Sequence, residues 1–126
     1  MTKAEAYEKA WRLGYKGDFS LVDQIYHPEY STFEDTTGIT ANLDDDKTVV
    51  LSLNSSVIIG PYKCVSESGD LLNIPAYSMF KEAEIFRSFT TYATYREGKI
   101  ITQKIVSEEL DYDPSEGQDW NWEDCE

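Results

Sequence analysis

The sequence predicts a single α+β domain, with helices gathered in the N-terminal half and a run of β-strands after them. Three observations carry this. Near the N-terminus apolar residues recur at helical spacing, bracketed by capping signals. From about residue 62 onward the chain changes to β-branched and aromatic runs separated by short polar turns. The length of 126 residues, 40% hydrophobic and 13% aromatic, suits one apolar core and no more.

Residues 3–16 place Tyr7, Ala10, Trp11 and Gly14 on one helical stripe, and Thr2 with Glu5 forms a capping box before it. Lys16-Gly17-Asp18 stops that helix, and Asp18 caps a second over 19–26, with Phe19, Val22, Ile25 and Tyr26 as its apolar side. His27-Pro28 ends it, because the residue before proline is driven out of the α region. Tyr30 to Asp35 alternates as a strand, with Phe33 and Asp35 on one face and Thr32 and Glu34 on the other. A polar loop follows from Thr36. The Asp44-Asp45-Asp46 run then reads as a helix N-terminus, since carboxylates favour its positive end. That third helix spans 45–56 with Val49, Val50 and Leu53 inward, although Thr48 to Leu51 would also suit a strand.

The remainder reads as a meander. Strands run from Tyr62 to Glu67, Leu71 to Phe80, Ile85 to Tyr95 and Ile100 to Leu110, with turns at 68–70, 81–84 and Glu97-Gly98. The domain thus occupies 1–110, and an acidic tail fills 111–126.

Eleven basic against 24 acidic residues give a charge of −13. Nine of the acids and no Lys or Arg fall in 108–126, so the body of the chain is near ordinary in charge. The excess opposes binding to nucleic-acid phosphates and to anionic membranes. No run of 18 apolar residues exists and the N-terminus reads as a helix start, so a cytoplasmic location is expected. Cys64, in a strand, and Cys125, in the tail, read as unpaired, and two cysteines with one histidine offer no zinc spacing.

The element order, together with Gly17-Asp18-Phe19 between two short helices, Tyr26-His27-Pro28-Glu29-Tyr30 before a strand ending Phe33-Glu34-Asp35, and Tyr95 to Ile100 as a final hairpin, resembles the nuclear transport factor 2-like superfamily. Its polyketide-cyclase (SnoaL-like) and ketosteroid-isomerase branches are the nearest in pattern. The resemblance covers roughly residues 3–110. It implies a curved, mostly antiparallel sheet wrapped around the N-terminal helices. That cystatin-like α+β barrel is cone-shaped with an apolar pocket, and many members dimerise through the sheet. In the isomerase branch an aspartate at the end of the first strand is the general base, and Asp35 falls there. The tyrosine and protonated aspartate of that branch's oxyanion hole fall on Ala10 and Thr91, so both donors are absent. Each such donor is worth roughly 3 kcal/mol to an enolate, which argues against steroid isomerisation.

The resemblance implies a pocket lined by Tyr7, Trp11, Phe33, Asp35, Arg87, Thr91 and Tyr95. Each has a plainer reading beside it. Asp35 is a pocket base or a carboxylate capping the next loop. Arg87 shares strand parity with Phe89, Thr91, Ala93 and Tyr95, so it either faces the pocket or snorkels to water at the sheet edge. Tyr7 and Trp11 suit core and ligand contact alike. His27 belongs to a turn. Phe86, Tyr92 and the hydroxyl residues 88, 90 and 94 face the other side of the sheet, which suits a homodimer interface better than open solvent. Trp120 and Trp122 in the tail fit a disordered acidic segment, a segment docked on the sheet or on a dimer partner, or a peptide for another protein.

Two functions follow as expectations. One is a protein that binds a small apolar or aromatic molecule. The other is an acid–base enzyme (isomerase, cyclase or dehydratase) using Asp35, and neither requires a metal or organic cofactor. A protein-interaction module working through the sheet face or the tail is a weaker third.

Overall fold

The computed structural model describes residues 2–34, 37–62 and 66–125, apart from the side chain of Glu34. Asp35 and Cys64 lie outside the described residues.

Helix α1 (Lys3–Gly14) begins with the expected capping box: Thr2 accepts from the Glu5 amide at 3.1 Å while Glu5 accepts from the Thr2 amide. Its buried residues are Tyr7, Ala10, Trp11 and Gly14, the predicted stripe. Helix α2 (Ser20–Ile25) is short, and the Asp18 carboxylate accepts from the amide and hydroxyl of Ser20 before it. Strand β1 (Tyr26–Glu34) starts at once, with no loop between. His27 therefore lies within a strand and not in a turn; its Nδ1 accepts from the Glu29 amide at 3.0 Å, and the register of β1 shifts between Tyr26 and Ser31.

Strand β2 (Ile39–Ala41), expected as loop, pairs antiparallel with β1. Helix α3 (Leu43–Leu53) follows, two residues earlier than expected, because Asn42 caps it in a second box with Asp45. That box excludes the strand alternative at 48–51. Strand β3 (Val57–Ile59) was not foreseen; three residues carry too little periodicity to register as a strand. Of the strand predicted over 62–67, residues 63–65 lie outside the described residues, Tyr62 is in a loop, and β4 (Ser66–Ser68) takes in the last two and one more. Strands β5 (Leu71–Phe80), β6 (Ile85–Arg96) and β7 (Lys99–Leu110) form the meander as read, and Glu97 and Gly98 both take positive φ in the last hairpin.

The strands make one curved, unclosed sheet in the order β2-β1-β7-β6-β5-β3, with β4 also on β5. Among the described residues, only the β1–β7 pair is parallel. The helices lie on its concave face, and the core between them centres on Tyr7, Trp11, Val22, Leu72, Ile74 and Ile100. Arg12 ties α1 to β3 by donating to the carbonyls of Ile59 and Gly60 at 2.7 and 2.9 Å. Among the described residues, no helix is long and apolar enough to cross a membrane.

The segment after β7 returns over the convex face. Trp120 stacks on Tyr77 and Trp122 on Phe86, with ring centroids 6.4 and 6.1 Å apart, and the two indoles meet edge to face. Trp122 is 7% exposed, and its Nε1 donates to Asp113 at 3.0 Å. Burial would raise the Asp113 carboxyl, but bonds from Trp122 and Ser115 outweigh it and hold it below its ordinary range. Of the arrangements open to these tryptophans, the structure shows docking on the sheet.

Candidate functional site

Between the concave face, α1 and α3 lies a cavity of about 470 Å³. Its floor is the sheet: Thr32 of β1, Phe89 and Thr91 of β6, and Gln103 and Ile105 of β7. Tyr7 and Trp11 descend from α1, while Val49 and Val50 face it from α3 and Tyr62 from the loop after β3. Asp45 and Asp46, in the first turn of α3, complete the wall.

The polar groups of this wall form chains of hydrogen bonds. Trp11 Nε1 donates to the Tyr26 hydroxyl at 2.9 Å, which in turn donates to Gln103 Oε1 at 2.7 Å. Thr32 Oγ1 donates to the Gln103 carbonyl at 3.0 Å. The Tyr7 hydroxyl interacts with the side chains of Thr91 and Tyr26; burial outweighs those contacts and pushes the phenol well above its ordinary range. The rings pack edge to face, Trp11 on Tyr26 and Tyr26 on Tyr30.

A second chain ends on a carboxylate. Tyr30 donates to Asp46 Oδ2 at 2.8 Å. Burial disfavours the charged form of Asp46, and neighbouring Asp45 adds repulsion. The Tyr30 bond opposes both, yet the carboxyl is pushed up to about 6. A carboxyl that titrates there exchanges protons near neutral pH and lies on a cavity wall. Among the described residues, no group of His, Cys, Asp and Glu is arranged to hold a metal.

Of the predicted pocket residues, the structure brings Tyr7, Trp11 and Thr91 together on the wall. Phe33 is instead 42% exposed, because the parity of β1 turns Thr32 inward. Tyr95 packs beside the core near the start of α1, with Lys3 over its ring, and burial raises its hydroxyl to about 12; it does not line the cavity. Arg87 does lie on the concave side of β6, but off the cavity wall, with a buried Nε that has no hydrogen-bond partner. Sequence reasoning missed Thr32, Gln103, Tyr30 and Asp46. Asp46 was legible only as one of three equivalent acids at a helix start. Ala10 bears no hydroxyl, and Tyr7, one turn earlier on the same stripe, brings its own to the Thr91 side chain.

This architecture matches solved structures. An NTF-2 like protein of unknown function from Burkholderia xenovorans aligns with a TM-score of 0.68 at 13% identity, covering 88% of this chain and 86% of that one. The fold is nuclear transport factor 2-like. Wild-type IdmH from Streptomyces antibioticus, a candidate polyketide cyclase, shares this NTF2-like arrangement with a TM-score of 0.67 at 12% identity, over 86% of this chain and 93% of that one. A ketosteroid isomerase-like fold from Catenulispora acidiphila, solved in complex with trimethylamine, aligns at 0.61 and 15% identity, covering 95% and 99%. No protein-family model and no curated protein matches the sequence. The likeness is therefore one of NTF2-like fold, and the chemistry must be argued from this chain's own cavity.

Proposed function

We propose that this protein binds a small, largely apolar, ring-bearing molecule in the cavity between α1, α3 and the sheet. The cavity itself is the observation that carries this reading: about 470 Å³, with aromatic and aliphatic walls and a few convergent polar groups. Ligand sites in proteins have that character and a volume of roughly 300–1,000 Å³. The polyketide-cyclase description of a structure sharing the fold supports a pocket for ring systems. The bound trimethylamine in another supports a fold that admits small molecules. The test is a thermal-shift and calorimetric screen of neutral polycyclic compounds. Val49→Trp, at a half-exposed place on the wall, should plug the cavity and abolish any binding found. Binding that survives this substitution would put the ligand elsewhere.

A second reading is a cofactor-independent acid–base enzyme, an isomerase, cyclase or dehydratase. What favours it is Asp46, a carboxyl on the wall that gives and takes a proton close to neutrality. If it holds, ligands from the screen should incorporate solvent deuterium on incubation with the protein, and Asp46→Asn should stop this. Unchanged ligand masses would rule proton transfer to carbon out.

The protein is also proposed to be a cytoplasmic homodimer, paired through the part of the convex face where Tyr92 and Val106 stay exposed beside the docked tail. A monomeric sedimentation coefficient at micromolar concentration would contradict the pairing.

A further inference from the structure

We propose that the cavity selects apolar amines, with Asp46 as counter-ion to the ligand's ammonium group. This rests on the ligand-binding reading above and assigns a chemical class to it. Every charged side chain on the cavity wall is acidic: among the described residues Asp45 and Asp46 line it, and no Lys, Arg or His does. Asp45 is partly committed, since its Oδ2 accepts from the Asn42 amide in the helix cap. Asp46 spends Oδ2 on the Tyr30 hydroxyl, and Oδ1 takes no part in that bond.

The groups facing Asp46 are Asp45 on its own helix, Tyr26 and Tyr30 from β1, and Tyr7 from α1. They are acids and phenols, so among the described residues this wall supplies hydrogen bonds but no cation. A part-buried carboxylate without a counter-charge is costly, and a ligand that brings the positive charge removes that cost. Burial first, and repulsion from Asp45 after it, disfavour the charged form of Asp46, and a cationic ligand would relieve both. The remaining wall suits such a ligand: Tyr7, Trp11, Tyr62 and Phe89 give apolar contact, and aromatic faces attract ammonium groups. A carboxylate on the ligand would meet like charge at Asp45 and Asp46.

Three probes with one naphthalene body separate the possibilities: 2-naphthylmethylamine, 2-naphthylmethanol and 2-naphthoate, titrated calorimetrically against the full chain. At pH 7.5 the amine should bind roughly tenfold tighter than the alcohol, and the acid most weakly. At pH 5 Asp46 takes up a proton while the amine keeps its own, so the preference should shrink severalfold. Asp46→Asn should abolish the preference at pH 7.5, weakening the amine about tenfold more than the alcohol. Should that variant lose the alcohol too, the wild-type pH series decides. Equal affinity for amine and alcohol, or a preference that ignores pH, overturns the amine assignment while the pocket reading survives. No binding of any probe overturns both.

Discussion

Asp46→Asn should make the protein more stable at pH 8 and leave it unchanged at pH 4. In the folded chain the Asp46 carboxyl is pushed up to about 6, against an ordinary value of 3.8. A raised carboxyl binds its proton more tightly in the folded state, so folding takes up protons between those two values and stability falls as pH rises through them. The penalty is absent below the lower value and complete above the upper one. At about 1.4 kcal/mol per pH unit the gap sets a ceiling near ~3 kcal/mol. The carboxyl borders an open cavity whose water screens it, which reduces the expected effect to about 1–2 kcal/mol. Asparagine keeps an oxygen for the Tyr30 hydroxyl and cannot ionise, so it escapes the penalty without opening a void. The assay is urea denaturation of both proteins from pH 4 to pH 8, reading the difference between them so that other titrating groups cancel. A difference of the same size at both ends, or an asparagine variant that is weaker at pH 8, would refute the burial argument.

Other perturbations probe the rest of the architecture. Trp122→Ala removes an indole packed on Phe86 and Trp120 and strands Asp113, and should cost about 2–4 kcal/mol in urea melts. A loss under about 0.5 kcal/mol would mean the tail packs without contributing to the fold. Tyr26→Phe leaves Trp11 Nε1 and Gln103 Oε1 without their shared partner and should cost about 1–3 kcal/mol, with a shift in tryptophan emission. A neutral result would show water replacing the hydroxyl. Gly60→Ala brings a Cβ to 3.3 Å from both the Trp120 ring and the Tyr77 carbonyl. Backbone cannot yield as a side chain does, so about 1 kcal/mol of destabilisation is expected, with increased susceptibility of the tail to limited proteolysis. Unchanged cleavage would refute the close approach.

The first helix was legible because everything that makes it is local: the Thr2–Glu5 box and a stripe whose four members are all buried. The β5–β7 meander was legible for the same reason, through alternating apolar residues and a tight turn at Glu97-Gly98. The resemblance to an NTF2-like fold rested on these elements and their order. Strands β2 and β3 escaped notice because three residues are held by pairing with a neighbour, which local composition does not encode. At β1, apolar character pointed Phe33 inward, yet Thr32 takes the inner place. Beyond the register shift between Tyr26 and Ser31, parity there is set by parallel pairing with β7, where Thr32 lies beside Gln103.

The site shows the same division more sharply. Sequence alone determined that Tyr7 and Trp11 share a helix face, that Thr91 shares a strand face with Phe89, and that acids open the third helix. Only the tertiary structure decided that these three faces enclose one space, and that of three consecutive aspartates it is Asp46 that reaches Tyr30. Which way a short helix rolls against a sheet depends on packing between segments far apart in sequence. A cavity is the space such packing leaves unfilled, and no local run of residues specifies it.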